Sequence, residues 1–184
     1  MNSRLLQRAK TALLVIDMQE AFRNIIPDFV EISSRIVTLI RGFQILQIPI
    51  ILTEQYPKGL GHTAKEIADS LDQACKIYEK TNFSCCGVDD FISDLNKKGV
   101  EQILICGIEA HICVNQTAHD LLSRGFQVHL LVDCVSSRFK WNKEIGINKI
   151  LQSGAIASSV EMALFEIMRG STHPCFKQIQ ALIK

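Results

Sequence analysis

The chain has 184 residues, 47% hydrophobic and 21% charged; this is the balance of one folded domain around a single core, and it excludes a mainly disordered protein. Twenty basic against nineteen acidic residues leave a formal net charge of +1, with no surplus positive field to neutralise phosphates, so no nucleic-acid partner is expected. Seven cysteines, an odd number without regular spacing, fit free thiols in a reducing, cytoplasmic compartment better than a disulfide scaffold.

The opening ten residues carry Ser3, Arg4, Arg8 and Lys10 without an acid. They read as a short basic extension, with an organellar transit segment as the alternative. No apolar run reaches the ~18–20 residues of a membrane span, so no membrane partner is expected.

Thr11–Ile16 is a continuous apolar run, predicted to be a strand buried on both faces. It ends at Asp17, whose carboxylate suits a general base, a metal ligand or a helix cap. Phe29, Ile32, Ile36, Ile40, Phe43 and Leu46 recur at three- and four-residue steps and so share one helix face. A second strand over 48–53 runs into the polar, glycine-punctuated loop 54–62, and a weaker one over 74–79 leads to Lys80. Taken alone, Lys80 reads as a solvated lysine. Val88, Phe91, Ile92 and Leu95 predict a helix ending at Gly99.

Gln102–Ile108 is the next apolar run, followed by Glu109, Ala110, His111, Ile112 and Cys113. Cys113 is expected at a helix start, where unpaired N–H groups favour a thiolate and can hold an oxyanion. A buried structural cysteine is the plainer alternative. Val114, Ala118, Leu121 and Leu122 give the helix, which stops at Gly125. A strand over 127–132, a helix carrying Trp141, Ile145, Ile150 and Leu151, a weak strand over 155–158 and a helix with Val160, Leu164 and Met168 follow. The last helix is expected from Pro174, burying Phe176, Ile179 and Ile183.

Alternating strands and helices predict a mainly parallel sheet covered on both faces. Ligands bind such sheets beyond the carboxyl ends of the strands. Asp17, Lys80 and Cys113 follow three different strands, so one sheet edge can gather all three. The other cysteines read as core or incidental thiols. The histidines lack ligand spacing, no Cys-x-x-Cys or other zinc pattern occurs, and no Gly-x-Gly-x-x-Gly or Walker A loop is present. No metal or other cofactor is expected.

LLVIDMQEAF (13–22), KTNFS (80–84), ICGIEAHICVNQTAHDLLSRGFQVHLLVD (105–133) and SGAIASSVEMALFEI (153–167) together resemble the isochorismatase-like cysteine hydrolase superfamily. Within it, TEQYPKGLG (53–61) and the ending HPCFKQIQALIK (173–184) are most similar to the isochorismatase domain-containing proteins. The resemblance covers roughly residues 10–170. It implies a three-layer α/β/α sandwich on a six-stranded parallel sheet, usually assembled into dimers or larger homo-oligomers. It puts the family's acid on Asp17, its lysine on Lys80 and its nucleophile on Cys113.

The family's cis peptide falls at Ile108–Glu109, with an oxyanion hole from the Glu109 and Cys113 N–H groups. Phe22 matches an aromatic pocket wall, and Gln19 matches the Asp-x-Gln pattern. Tyr56 and His62 are expected at the pocket rim. Two departures matter. Nicotinamidases of this superfamily carry a metal-binding Asp-x-His motif where this chain has Glu54, Gln55 and Tyr56, so neither that metal nor that activity is expected. The stretch before the nucleophile reads Glu109-Ala110-His111 instead of the usual pattern; Glu109 and His111 line either the pocket or a subunit interface.

The implied function is hydrolysis of a small amide or ureide C–N bond through a thioester on Cys113. Vinyl-ether hydrolysis of isochorismate and a non-catalytic binding role are the alternatives.

Overall fold

In the computed structural model, which describes residues 4–72 and 75–184, Thr11–Ile16 forms strand β1 with all six residues buried. A strand held between two layers has no wet face, so apolar–polar alternation disappears from its sequence. The remaining strands are β2 (Ile50–Gln55), β3 (Lys76–Lys80), β4 (Gln102–Ile108), β5 (Gln127–Ser136) and β6 (Ile156–Ser158). They lie in the order β3-β2-β1-β4-β5-β6, and every pair is parallel.

The helices are α1 (Phe29–Ile45), α2 (Pro57–Leu60), α3 (Lys65–Ala68), α4 (Phe91–Lys97), α5 (Asn115–Ser123), α6 (Lys140–Gln152), α7 (Val160–Met168) and α8 (Phe176–Leu182). Two cores result, one on each face of the sheet. Leu13, Val15, Leu104 and Leu131 point to α1, α7 and α8, meeting Phe29, Phe43, Leu164 and Ile179. Ala12, Leu14, Ile16, Ile105 and Leu130 point the other way, meeting Phe91, Leu121 and Ile150 of α4, α5 and α6. This is the three-layer α/β/α sandwich, and its sheet is parallel throughout.

Several boundaries differ from the sequence reading. β2 begins at Ile50 and continues through Glu54 and Gln55. The predicted start of β3 at Ala74 lies outside the described residues, and the strand ends on Lys80 itself. β5 runs on to Ser136, with a register shift against β4 between Ile105 and Gly107. The last helix starts at Phe176, two residues after Pro174, and Cys175 stands at its cap. Trp141 and Ile145 do lie on a helix, but both are exposed; the packing face of α6 is Gly146 and Ile150. Residues 1–3 of the basic opening are likewise outside the described residues. Arg8 from that stretch donates to the Leu46 carbonyl at 2.7 Å and to Gln47 Oε1 at 2.9 Å.

The strand order reverses direction between β1 and β4, so the connections leaving those neighbours diverge and open a crevice at their carboxyl ends. Gly107 keeps the two strands close there. It adopts φ +108°, and a Cβ on it would stand 2.0 Å from the Ile16 carbonyl oxygen, so only glycine fits.

Candidate active site

Asp17 is the first residue past β1, 1% exposed and held at φ +52°. The Thr53 hydroxyl donates to its Oδ1 at 2.7 Å, and the Lys80 ammonium donates to its Oδ2 at 2.6 Å. Register explains the meeting: Ile16 sits opposite Thr53 in the β1–β2 pair, and Gln55 sits opposite Lys80 in the β2–β3 pair. Lys80 also donates to Gln55 Oε1 at 2.7 Å, the Phe83 carbonyl at 3.1 Å and the Asn82 carbonyl at 3.3 Å. Four oxygens thus surround one ammonium. Burial is the largest single influence and opposes its charge, but the Asp17 carboxylate, with the Cys113 and Cys85 sulfurs adding to it, outweighs burial and raises the Lys80 ammonium above its usual range. The solvated lysine of the sequence reading is instead a buried partner of Asp17.

Cys113 lies in a widened turn, Ala110–Val114, between β4 and α5. The Val114 N–H reaches back five residues to the Glu109 carbonyl at 3.3 Å, the spacing of a π-type turn. The thiol is 7% exposed. Burial pushes it well above the usual thiol range, the Asp17 charge pushes it further, and Lys80 offsets only part of this. Position at a helix start had argued for a resting thiolate. Desolvation and the adjacent carboxylate are the stronger effects, so the resting sulfur carries its proton. The Ile108–Glu109 peptide is cis.

A cavity of about 140 Å³ opens on these groups, lined by Asp17, Gln55, Glu109 and Cys113 and walled by Phe22, Leu60, Phe83, Ile108 and Ile112. Phe22, Glu109, Asp17 and Cys113 are therefore brought together, with Lys80 bonded from behind. The Glu109 carboxylate accepts from the Arg138 backbone N–H at 2.9 Å and pairs with its guanidinium at 3.1 Å.

The other residues named from sequence lie elsewhere. Gln19 is fully buried, its side chain accepting from Gln55 N at 2.8 Å and donating to the Gln55 and Gly61 carbonyls at 3.0 and 2.6 Å. It fastens the loop after β2 onto the end of β1. Tyr56 is exposed and borders a second groove, lined also by Lys58, Glu79 and Lys80. His62 is a solvent-facing side chain bonded to buried Glu54 at 3.0 Å, a bond that raises its imidazole above the usual value. His111 bonds Ser137 Oγ at 3.0 Å.

Sequence reasoning missed Thr53, Phe83 and Ile112, and reached Gln55 and Leu60 only as members of the loop 54–62, without singling them out. Parallel register was the available signal for Thr53 and Gln55, because residues opposite Ile16 and Lys80 must share the same sheet edge. Among the described residues, no group of three or more His, Cys, Asp or Glu side chains comes together as a metal site. None of their helices is long and apolar enough to cross a membrane.

A wholly parallel sheet with a buried acid, ammonium and thiol gathered beyond the carboxyl ends of its strands defines an α/β protein of the three-layer class. The family profile for the isochorismatase domain matches residues 11–162. Isochorismatase domain-containing protein 2 of Danio rerio is 40% identical over 174 residues, covering 94% of this chain and 86% of that protein. The chain belongs to the isochorismatase family and carries its hydrolase fold.

Among solved structures, the MAR1 ribonuclease of Caenorhabditis elegans superposes with a TM-score of 0.92 at 41% identity, covering 97% of this chain and 92% of that one. The YcaC gene product of Escherichia coli, described as an octameric hydrolase of unknown specificity, shares the fold with a TM-score of 0.85 at 19% identity, covering 100% and 96%.

Proposed function

We propose that the chain is a metal-independent cysteine hydrolase that cleaves a small amide or ureide-type C–N bond through a thioester on Cys113. The observation carrying this reading is the Asp17 carboxylate, clamped by Thr53 at 2.7 Å and Lys80 at 2.6 Å, beside the Cys113 thiol in an apolar cavity. Because the resting sulfur is protonated, the proton leaves as the bond forms: Asp17 accepts it while Sγ attacks the carbonyl carbon. The tetrahedral oxyanion is received by the Glu109 and Cys113 N–H groups. Asp17 then hands the proton to the departing nitrogen, the C–N bond breaks, and the acyl group remains on sulfur. Water, deprotonated by Asp17, attacks the thioester and releases the carboxylic acid and the thiol. Lys80 holds Asp17 in place through its bond to Oδ2.

The test is intact-mass spectrometry of the protein quenched during turnover of a screened amide panel. The expected result is an acyl adduct that maps to Cys113, and a Cys113→Ala variant slowed by at least ~10³-fold. Undiminished turnover by that variant would sink the nucleophile assignment.

The vinyl-ether reading fits the site less well. Isochorismate carries two carboxylates, whereas both cations bonded to cavity-lining residues are already engaged, Lys80 by four oxygens and Arg138 by the Glu109 carboxylate. Pyruvate release from isochorismate would reverse this judgement. The likeness to a protein described as a ribonuclease favours a second reading, phosphodiester cleavage in RNA. Degradation of RNA by the purified chain, abolished in Asp17→Asn, would establish that reading in place of amide hydrolysis. If neither substrate class turns over, a binding role in the same cavity is what remains. We propose the cytoplasm as its compartment, since a working thiol must be kept reduced. Self-association into a homo-oligomer is proposed with it, supported by the octameric description of a protein of the same fold.

A further inference from the structure

Phe139, Trp141 and Ile145 are 48%, 60% and 62% exposed. The two aromatic rings stack with centroids 4.8 Å apart and planes 7° from parallel. Together with Ile145 they make a continuous apolar ridge on the outward side of α6. Leaving side chains of this size in water is unfavourable relative to burying them, and a contiguous ridge of this kind marks a covered surface.

The charges beside the ridge identify what covers it. Lys140 and Glu144 are one turn apart, with side chains 86% and 59% exposed and 3.8 Å between Nζ and Oε1. Residues four apart follow one row on a helix surface, so the charged row 140/144 runs alongside the apolar row 141/145. Laid antiparallel on itself about a two-fold axis, this face sets Trp141 against Ile145 of the partner subunit. The same rotation sets Lys140 beside the partner's Glu144, and both contacts occur twice. Self-complementarity in shape and sign is what an isologous contact requires. A partner of a single charge sign would meet a like charge at either Lys140 or Glu144. On its other side the charged row borders a groove of about 370 Å³ lined by Pro27, Lys143 and Ile147.

We propose that the outer face of α6 is a two-fold contact between copies of this chain, anchored by Phe139, Trp141 and Ile145 and registered by Lys140 and Glu144. This rests on the self-association proposed above and assigns it a surface. The inner face of the same helix bears on the nucleophile's turn. A Cβ on Gly146 would lie 2.9 Å from the backbone of Ala110 and His111, so α6 and residues 110–114 pack backbone to backbone. A second copy pressing on α6 therefore braces the turn that carries Cys113.

Sedimentation velocity on the full chain at micromolar concentration tests this. The expected wild-type species is an even-numbered oligomer. The double variant Trp141→Glu with Ile145→Glu, folded by far-UV circular dichroism, falls to half that mass or less. Lys140→Glu alone and Glu144→Lys alone each weaken association by about tenfold through like-charge apposition, and the combined exchange restores it. A monomeric wild type would overturn self-association itself. A mass unchanged in the Trp141 and Ile145 variant would leave self-association standing and overturn this face. A combined exchange no tighter than either single change would overturn the two-fold register. Amide exchange at residues 110–114 is expected to quicken in the dissociated variant, and unchanged exchange there would remove the brace.

Discussion

Asp17 acts on Cys113 in two opposed ways. Its negative charge, after burial, is what holds the thiol protonated, and the same carboxylate is the proposed acceptor of that proton. Asp17→Asn separates the two. Turnover should fall by at least ~10³-fold because the base is gone. Alkylation of Cys113 by iodoacetamide at pH 8 should become faster than in the wild type, since Lys80 then lowers the thiol against burial without the added Asp17 charge. An unchanged or slower alkylation rate would show that the carboxylate is not what suppresses the thiolate. The partner residue gives a stability test. Both Lys80 and Asp17 side chains are almost fully enclosed, at 0% and 2% exposure. Lys80→Met strands a buried carboxylate that keeps the Thr53 hydroxyl and the Cys113 thiol but no cation beside it, and urea unfolding should register a loss of about 3–5 kcal/mol. Combining it with Asp17→Asn removes both charges, so the double variant should be more stable than Lys80→Met alone.

At the scale of elements, α6 is where propensity and packing disagree. Replacing a helical glycine by alanine ordinarily adds about 1 kcal/mol of helix stability. At Gly146 the new methyl would meet the Ala110 carbonyl carbon and oxygen and His111 Cα, each at 2.9 Å. These are backbone atoms that cannot swing aside, so Gly146→Ala should lower the melting temperature and reduce activity by displacing the Cys113 turn; a raised melting temperature with full activity would refute the close packing. The same helix shows where sequence reading succeeds and stops. β1 and β4 were legible because burial on both faces leaves uninterrupted apolar runs, and Asp17 and Cys113 followed from standing just beyond them. α6 was legible as a helix, and of the apolar residues that marked it Ile150 and Leu151 pack inward with Gly146 and Ile147 while Trp141 and Ile145 face out, so hydrophobicity did not separate its two faces. Lys80 was picked out for standing after a strand, but its burial, and the place of Thr53 and Gln55 beside the site, were obscured for a related reason. They are polar residues at the carboxyl ends of strands, where apolar patterning gives out although pairing continues. Recognising them as buried requires the register between strands, which composition does not carry.

The molecule as a whole has two polar ends to its sheet, and only the carboxyl end holds the site. At the amino end, Gln102 accepts from Gln7 N at 2.6 Å and Thr11 Oγ1 at 3.2 Å, and donates to the Leu5 carbonyl at 3.1 Å and to Gln127 Oε1. His129 joins this network through Nε2 and Gln127 Oε1 at 3.1 Å, while its Nδ1 is buried without a partner. Burial pushes the imidazole down to about 4, against roughly 6.5 in an unfolded chain. Above pH 6.5 neither state binds the proton, and this contribution to stability is intact. Between 6.5 and about 4 the unfolded chain binds the proton and the folded one does not, so stability is lost at up to ~1.4 kcal/mol per pH unit. Asp28, Glu54 and Glu66 are held below their usual values, so their losses set in only near and below the ordinary carboxylate range. His62 is raised by Glu54 and works in the opposite direction. Urea midpoints measured from pH 7.5 to 5 should therefore fall in the wild type and fall less in His129→Gln, which keeps a donor for Gln127 but does not titrate. An equally steep decline in that variant would place the acid sensitivity elsewhere, whereas a flattened one would locate it at the end of the sheet farthest from Cys113, where it can be relieved without touching the site.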